Sequence, residues 1–196
     1  MQNMAMTARL VILAGWNNSG PDHWQSRWPR LHGREAHFQR VEQDDWAWPR
    51  RGDWMMRLDE ALLADAALAE APAVLVAHSL ACHLVAAWAA HSRHTARVKS
   101  AWLVAPPDLD GEPTPASLAP QLQSWRQVVR QRLPFPSSVL ASRDDPYATL
   151  ARSQALARDW GASFDDLGEA GHVNADSGHG DWPEGWARLR ATWSGG

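Results

Sequence analysis

One cysteine, one lysine, one tyrosine and three phenylalanines are all that the 196 residues hold of those four types. With Cys82 alone no intramolecular disulfide can form, which suits a reducing compartment and makes the cytoplasm the expected location. Lys99 stands against eighteen arginines, and the 19 basic residues are interspersed with 22 acidic ones for a net charge of −3. Such a surface has no basic field, which argues against a nucleic-acid partner and against an anionic membrane. No apolar run approaches the roughly 20 residues that a membrane span requires. The stretch from Met1 to Arg9 lacks a basic segment leading into a long apolar one, so a soluble, unprocessed chain is expected. Neither G-x-G-x-x-G nor G-x-x-x-x-G-K-[ST] occurs, which removes support for a nucleotide cofactor. His78, His83, His91 and His94 form no zinc-ligand spacing with a third residue, so no metal and no cofactor are expected.

Tryptophan, by contrast, occurs 13 times. Its excess, with those of alanine and arginine, fits the codon usage of a GC-rich genome. Trp54, Trp88, Trp102 and Trp160 lie in periodic apolar segments and are expected in the core. Trp16, Trp46, Trp48 and Trp182 fall in predicted loops, where they could line a pocket. The length suits one domain, residues 1–196, long enough to bury about 70% of its unfolded surface.

Apolar strands alternate with helical patterns. Strands are expected over Arg9 to Leu13, His37 to Val41, Ala73 to Ala77, Val98 to Val104, Ser138 to Ala141 and Ser163 to Leu167. Helices are expected over His23 to Leu31, Trp54 to Leu68 with Asp53 as N-cap, and Leu80 to Ala90. Three more are expected over Leu122 to Leu133, Tyr147 to Trp160 and Trp186 to Trp193. Asp44 to Gly52 and Asp108 to Pro120 read as loops, the second exposed over the strand ends. Such alternation means an α/β fold with a parallel sheet and right-handed crossovers, in which ligands bind beyond the carboxyl ends of the strands.

The segment from Val74 to Val85 carries the chemistry. An apolar strand runs into Ala77-His78-Ser79-Leu80-Ala81 and straight into an alanine-rich helix, the layout of a nucleophile elbow. Such a turn lifts the Ser79 hydroxyl above the sheet edge, beside the first helical N–H groups. The simpler role for Ser79 is to cap the helix. Alanine replaces glycine on both flanks of the G-x-S-x-G pattern, adding a methyl at each position where the turn is tight. A serine needs a base held by a third group. Downstream, Asp144-Asp145-Pro146 follows one strand and His172 follows another on a glycine-flanked loop, so the order is Ser, Asp, His. His172 is the candidate base with His179 the alternative, and Asp145 the candidate acid with Asp144 the alternative. Oxyanion donors are expected at the backbone N–H of Leu80 and of Trp16 or Asn17. Cys82 reads as a small buried hydrophobe.

The chain resembles the small serine hydrolases of the YdeN and retinoblastoma-binding-protein-9 type, within the α/β-hydrolase superfamily. The resemblance rests on Ser19-Gly20-Pro21-Asp22-His23-Trp24-Gln25 with Trp28, Val76-Ala77-His78-Ser79-Leu80 with Cys82, and Val104-Ala105-Pro106. It continues through Ser142-Arg143-Asp144-Asp145-Pro146-Tyr147, Gly171-His172-Val173-Asn174, Ser177-Gly178 and Trp182-Pro183-Glu184-Gly185, nearly end to end. It implies a three-layer α/β/α sandwich with a mostly parallel twisted sheet and no large cap domain. It also implies a triad of Ser79, Asp145 and His172, favouring the aspartate next to Pro146, although the family has glycine where this chain has Ala81. The expected reaction is hydrolysis of a small-molecule acyl ester through an acyl-serine, with thioester and amide as variants. The rival expectation is an inactive binding protein on the same scaffold. No protein partner is indicated.

Overall fold

A computed structural model describes residues 8–64, 72–111, 113 and 115–194. Six parallel strands form one sheet: β1 (Ala8–Leu13), β2 (Ala36–Arg40), β3 (Ala73–His78), β4 (Val98–Val104), β5 (Ser137–Ala141) and β6 (Ser163–Asp166), in the order β2-β1-β3-β4-β5-β6. The helices are α1 (Trp24–His32), α2 (Arg51–Leu63), α3 (Leu80–His91), α4 (Pro115–Leu118), α5 (Leu150–Trp160) and α6 (Pro183–Ser194).

Strand residues alternate between two cores, as the period-2 geometry of a strand requires. Leu10, Ile12, Val74, Val76, Trp102, Val104 and Leu140 face the layer built by α1 and α6. Val11, Leu13, Leu75, Ala77, Ala101, Leu103 and Val139 face α2, α3 and α5. Buried on both faces, the central strands read as continuous apolar runs. On the first face Trp24, Trp28, Trp102, Trp182 and Trp186 stack through ring contacts of 4.6 to 6.3 Å. Trp54, Trp88, Trp102 and Trp160 are buried as expected. Trp182 is buried as well, whereas Trp48 is exposed and lines a small surface cavity with Asp44, Asp45 and Arg50.

Four expectations need correction. No helix spans Leu122 to Leu133: a 3-10 turn covers Pro120–Trp125 and the chain then runs irregularly. Its backbone groups go to tertiary partners, Gln127 O to Arg51, Val129 O to the Trp160 indole and Leu133 N–H to Trp160 O. Asp53 is not an N-cap, because α2 begins at Arg51 and Asp53 sits in its first turn, where its charge favours the helix dipole. The expected extension of α2 beyond Ala64 falls largely outside the described residues. The segment after β4 is exposed only in part: Asp110, Gly111 and Leu118 lie at the surface, but Asp108, Leu109 and Ala116 are buried, and Arg152 grips the Asp108 carboxylate through two contacts of 2.8 and 3.0 Å. Finally, α5 starts at Leu150, not at Tyr147, with Thr149 as its N-cap.

No helix among the described residues is long and apolar enough to cross a membrane.

Candidate active site

The sheet order reverses between β1 and β3, since the chain steps outward to β2 from one and to β4 from the other. A crevice opens there beyond the strand ends, the usual ligand position in such sheets. Ser79 leaves β3 on one side of it and Gly15-Trp16 leaves β1 on the other.

Ser79 has φ 56° and ψ −125°, outside the regions a non-glycine residue normally occupies. Its N–H donates to Val104 O at 2.9 Å, and α3 starts at the next residue. The hydroxyl makes no capping bond. It lies 2.9 Å from His172 Nε2 instead. Ala77 and Ala81 are both fully buried, so the tight turn forms with a methyl on each flank. Gly15 shows how close the neighbouring strand comes: a Cβ built on it would lie 2.8 Å from Ser79 Cβ and 2.9 Å from His78 O.

His172 Nδ1 lies 3.0 and 2.9 Å from the two carboxylate oxygens of Asp145. A carboxylate only accepts, so the Nδ1 proton points to Asp145 and the Nε2 lone pair faces the Ser79 hydroxyl. The Asp145 side chain is 3% exposed and that of His172 10%, so the pair operates in a poorly solvated environment. The other candidate acid has a different partner set. Asp144 Oδ1 accepts from Ser142 Oγ at 2.5 Å and from Gly171 N–H at 2.8 Å, tying the end of β5 to the histidine loop. Those donors hold its carboxyl below the usual carboxylate range, the Ser142 hydroxyl first. His179 bonds the Ser177 hydroxyl at 3.2 Å rather than Ser79.

The histidine loop is braced. Val173 adopts φ 49°, an unusual conformation for a β-branched residue, and the Trp24 indole donates to its carbonyl at 2.8 Å. His78 Nε2 donates to the carbonyl of His172 itself, also at 2.8 Å. His23 caps α1, its Nδ1 accepting from Gln25 N–H at 3.1 Å. Its ring stands edge-on to His78 with centroids 4.7 Å apart, and His78 is 4.9 Å from His172. Burial is the main cause holding His23 down at about 3 and His78 well below the ordinary histidine value. Both rings are therefore neutral at physiological pH and put no positive charge beside His172. The sequence marks them only through position, His78 next to the serine and His23 inside the Ser19 to Gln25 run. Cys82 is buried with its thiol pushed well above the ordinary value by burial, so it is no nucleophile.

A cavity of about 270 Å³ opens over these groups, lined by Gly15, Trp16, Ser79, Tyr147, His172 and Asp176 among others. The Trp16 indole is fixed by donation to Ala47 O at 3.0 Å, and the Tyr147 ring packs 4.5 Å from that of His172. A larger cavity of about 470 Å³ lies at the opposite end of the strands, over Lys99, Ser137 and Ser163, away from the serine.

Fold and site together define an α/β hydrolase with its serine at the switch point of the sheet. Residues 10–191 match the family model described as serine hydrolase, and the chain belongs to that family. Among solved structures, a YdeN-like hydrolase from Pectobacterium atrosepticum is 26% identical, with a TM-score of 0.77 over 93% of this chain and 89% of that one. The ydeN gene product of Bacillus subtilis is 22% identical, with a TM-score of 0.73 over 96% of this chain and all of that one. The esterase domain of a Rhodothermus marinus protein is 19% identical, with a TM-score of 0.64 over 96% and 89%. No curated protein matches the sequence significantly. The chain is thus a hydrolase enzyme of the serine hydrolase family, similar in structure to YdeN-like hydrolases.

Proposed function

We propose that this hydrolase cleaves a small carboxylic ester, or a thioester or amide of similar size, through an acyl-serine intermediate. The observation that carries the reading is the hydrogen-bonded line from Asp145 through His172 to Ser79, made of contacts no longer than 3.0 Å. Ser79 Oγ attacks the acyl carbon as its proton passes to His172 Nε2, and Asp145 stabilises the imidazolium that results. The tetrahedral intermediate then collapses, His172 gives the proton to the leaving oxygen, and the acyl group stays on Ser79. Water, deprotonated by His172, attacks the acyl-serine, and His172 returns that proton to Ser79 Oγ as the acid leaves.

Two backbone donors suit the developing oxyanion. Leu80 is the first residue of α3, where a helical N–H has no intrahelical partner. Across the crevice the N–H of Asn17 is committed to Trp46 O at 3.0 Å, which favours Trp16 as the second donor. Preorganised donors of this kind are worth about 10² to 10³ in rate each. The small cavity matches a compact substrate, below the roughly 300 Å³ at which drug-sized sites begin.

A fluorophosphonate probe tests the reading without knowledge of the substrate. Mass spectrometry should place the adduct on Ser79, and Ser79→Ala should remain folded by circular dichroism yet take up no label. A folded wild type that does not react would overturn the proposal.

A further inference from the structure

The walls of the cavity carry an uneven charge. No lysine or arginine lines it among the described residues, and the two histidines on its wall besides His172, His23 and His78, are held neutral. Asp176, on the loop following His172, is the acidic residue in the lining. It forms no salt bridge among the described residues, whereas Asp145 pairs with His172 and Asp181 with Arg27 at 2.8 Å, and Asp144 accepts from Ser142 and Gly171. Arg40, half-buried and outside the lining, donates to the side-chain oxygen of Asn18 and to the Ser19 carbonyl, and its charge is offset by Glu42 at 3.3 Å.

Asp176 is exposed at the cavity mouth, and two aromatic rings line the same cavity. Trp16 is locked by its indole bond to Ala47 and Tyr147 by packing on His172. An aromatic face attracts a cation within about 6 Å of its centre, and more strongly where water is scarce. An anionic acyl group, by contrast, meets a carboxylate and no cation to offset it. In a cavity of about 270 Å³ any such group lies close to the scissile carbonyl.

We infer that the substrate carries an ammonium group near its scissile carbonyl, as in a small amino-acid ester, and that Asp176 is the residue that selects it. This inference rests on the ester-hydrolase reading above. It assigns Asp176 to specificity and leaves the bond-making steps to Ser79 and His172.

Three ethyl esters vary the charge at one position: ethyl alaninate, ethyl isobutyrate, in which a methyl of equal size replaces the ammonium, and monoethyl methylmalonate, in which a somewhat larger carboxylate does. Because the ammonium also activates an ester intrinsically, the comparison is between enzymes. Asp176→Asn should lower the kcat/KM selectivity for the alanine over the isobutyrate ester by roughly fivefold, the span of a partly exposed ion pair. It should raise relative turnover of the methylmalonate ester, and Asp176→Glu should retain the wild-type order. If Asp176→Asn shifts all three alike, or shifts none, the inference fails while Ser79 labelling still upholds the hydrolase reading. Labelling of Ser79 with no turnover of any of the three esters overturns it as well. Absence of labelling, by contrast, sinks the hydrolase reading on which it stands.

Discussion

Gly15 has no room for a side chain, and the reason is the elbow. A methyl at this position would press on Ser79 Cβ and on the carbonyl of His78, one side chain and one backbone atom that the strained turn holds in place. Contacts under 3.0 Å force one partner to move, and here either movement displaces the nucleophile relative to His172. Gly20, a few residues on in the same loop, has nothing within 4 Å of its would-be Cβ. Gly15→Ala should therefore reduce kcat by roughly 10²-fold, the order reached when a reacting group is misplaced by about 1 Å. Gly20→Ala should leave kcat within about twofold of wild type. Steady-state hydrolysis of one ester by both variants checks this, and equal rates would mean that the elbow yields without cost. Sequence reading singled out Ser79, Asp145 and His172, which the structure brings within hydrogen-bond distance, because each sits just past a strand, the first two past apolar ones and the third past the polar β6. It did not find Gly15, because the constraint there comes from a strand 64 residues away.

At the scale of elements, the crevice is kept in shape by one side chain of α1. Gln25 is fully buried, and its amide donates to Leu13 O at 2.9 Å and to Val76 O at 3.1 Å, bridging the ends of β1 and β3 where the ligand crevice opens. Its carbonyl oxygen accepts from the Ser19 hydroxyl at 2.7 Å, which fixes the loop between β1 and α1. Gln25→Met keeps the volume and removes all three bonds. Each buried group left without a partner costs about 1 to 3 kcal/mol, so a loss of roughly 3 kcal/mol is expected, read as a lower urea midpoint at unchanged slope. A change under about 0.5 kcal/mol would show that water or a rearranged backbone satisfies the strand carbonyls.

Elements of this kind were legible in the sequence to different degrees. The strands β1, β3, β4 and β5 follow from apolar runs, because burial on both faces leaves little else that fits. Helix α3 follows from the alanine-rich stretch after the serine. Residues 126–136 did not follow, since their conformation is set by the Trp160 indole, Arg51 and the backbone of Trp160, all distant in sequence. The Gln25 bridge was equally hidden, although the Ser19 to Gln25 run marked the place. A buried glutamine at helical spacing carries no local sign that it joins two strands.

For the whole molecule, three buried histidines set how the fold tolerates acid. His23 is held at about 3 and His83 at about 4, each chiefly by burial, and His78 lies well below the ordinary value of 6.5 for the same reason. In the unfolded chain all three return to that ordinary value. Their neutral forms therefore favour the native state fully above pH 6.5, and this contribution is lost progressively as pH falls toward 4, because the unfolded chain binds up to three more protons. Each proton is worth about 1.4 kcal/mol per pH unit, so the combined slope approaches roughly 4 kcal/mol per unit near pH 5. Against a typical stability of about 5 to 15 kcal/mol, that is enough to unfold the protein in mild acid. The aspartates that are held low, Asp144 and Asp166, add to the loss at lower pH, from the ordinary carboxylate value downward, where the unfolded chain takes up their protons first. Urea unfolding at pH 7, 6 and 5 should show the midpoint dropping with increasing steepness. His83 stands outside the lining of the cavity over Ser79, donating to Pro107 O at 2.8 Å, and His83→Gln keeps a donor while removing one titrating ring. Its slope should be lower than that of the wild type by about one proton, whatever its stability at pH 7. A wild-type midpoint that stays level from pH 7 to pH 5 would mean that these rings accept protons in the folded state, and that their burial does not hold them neutral.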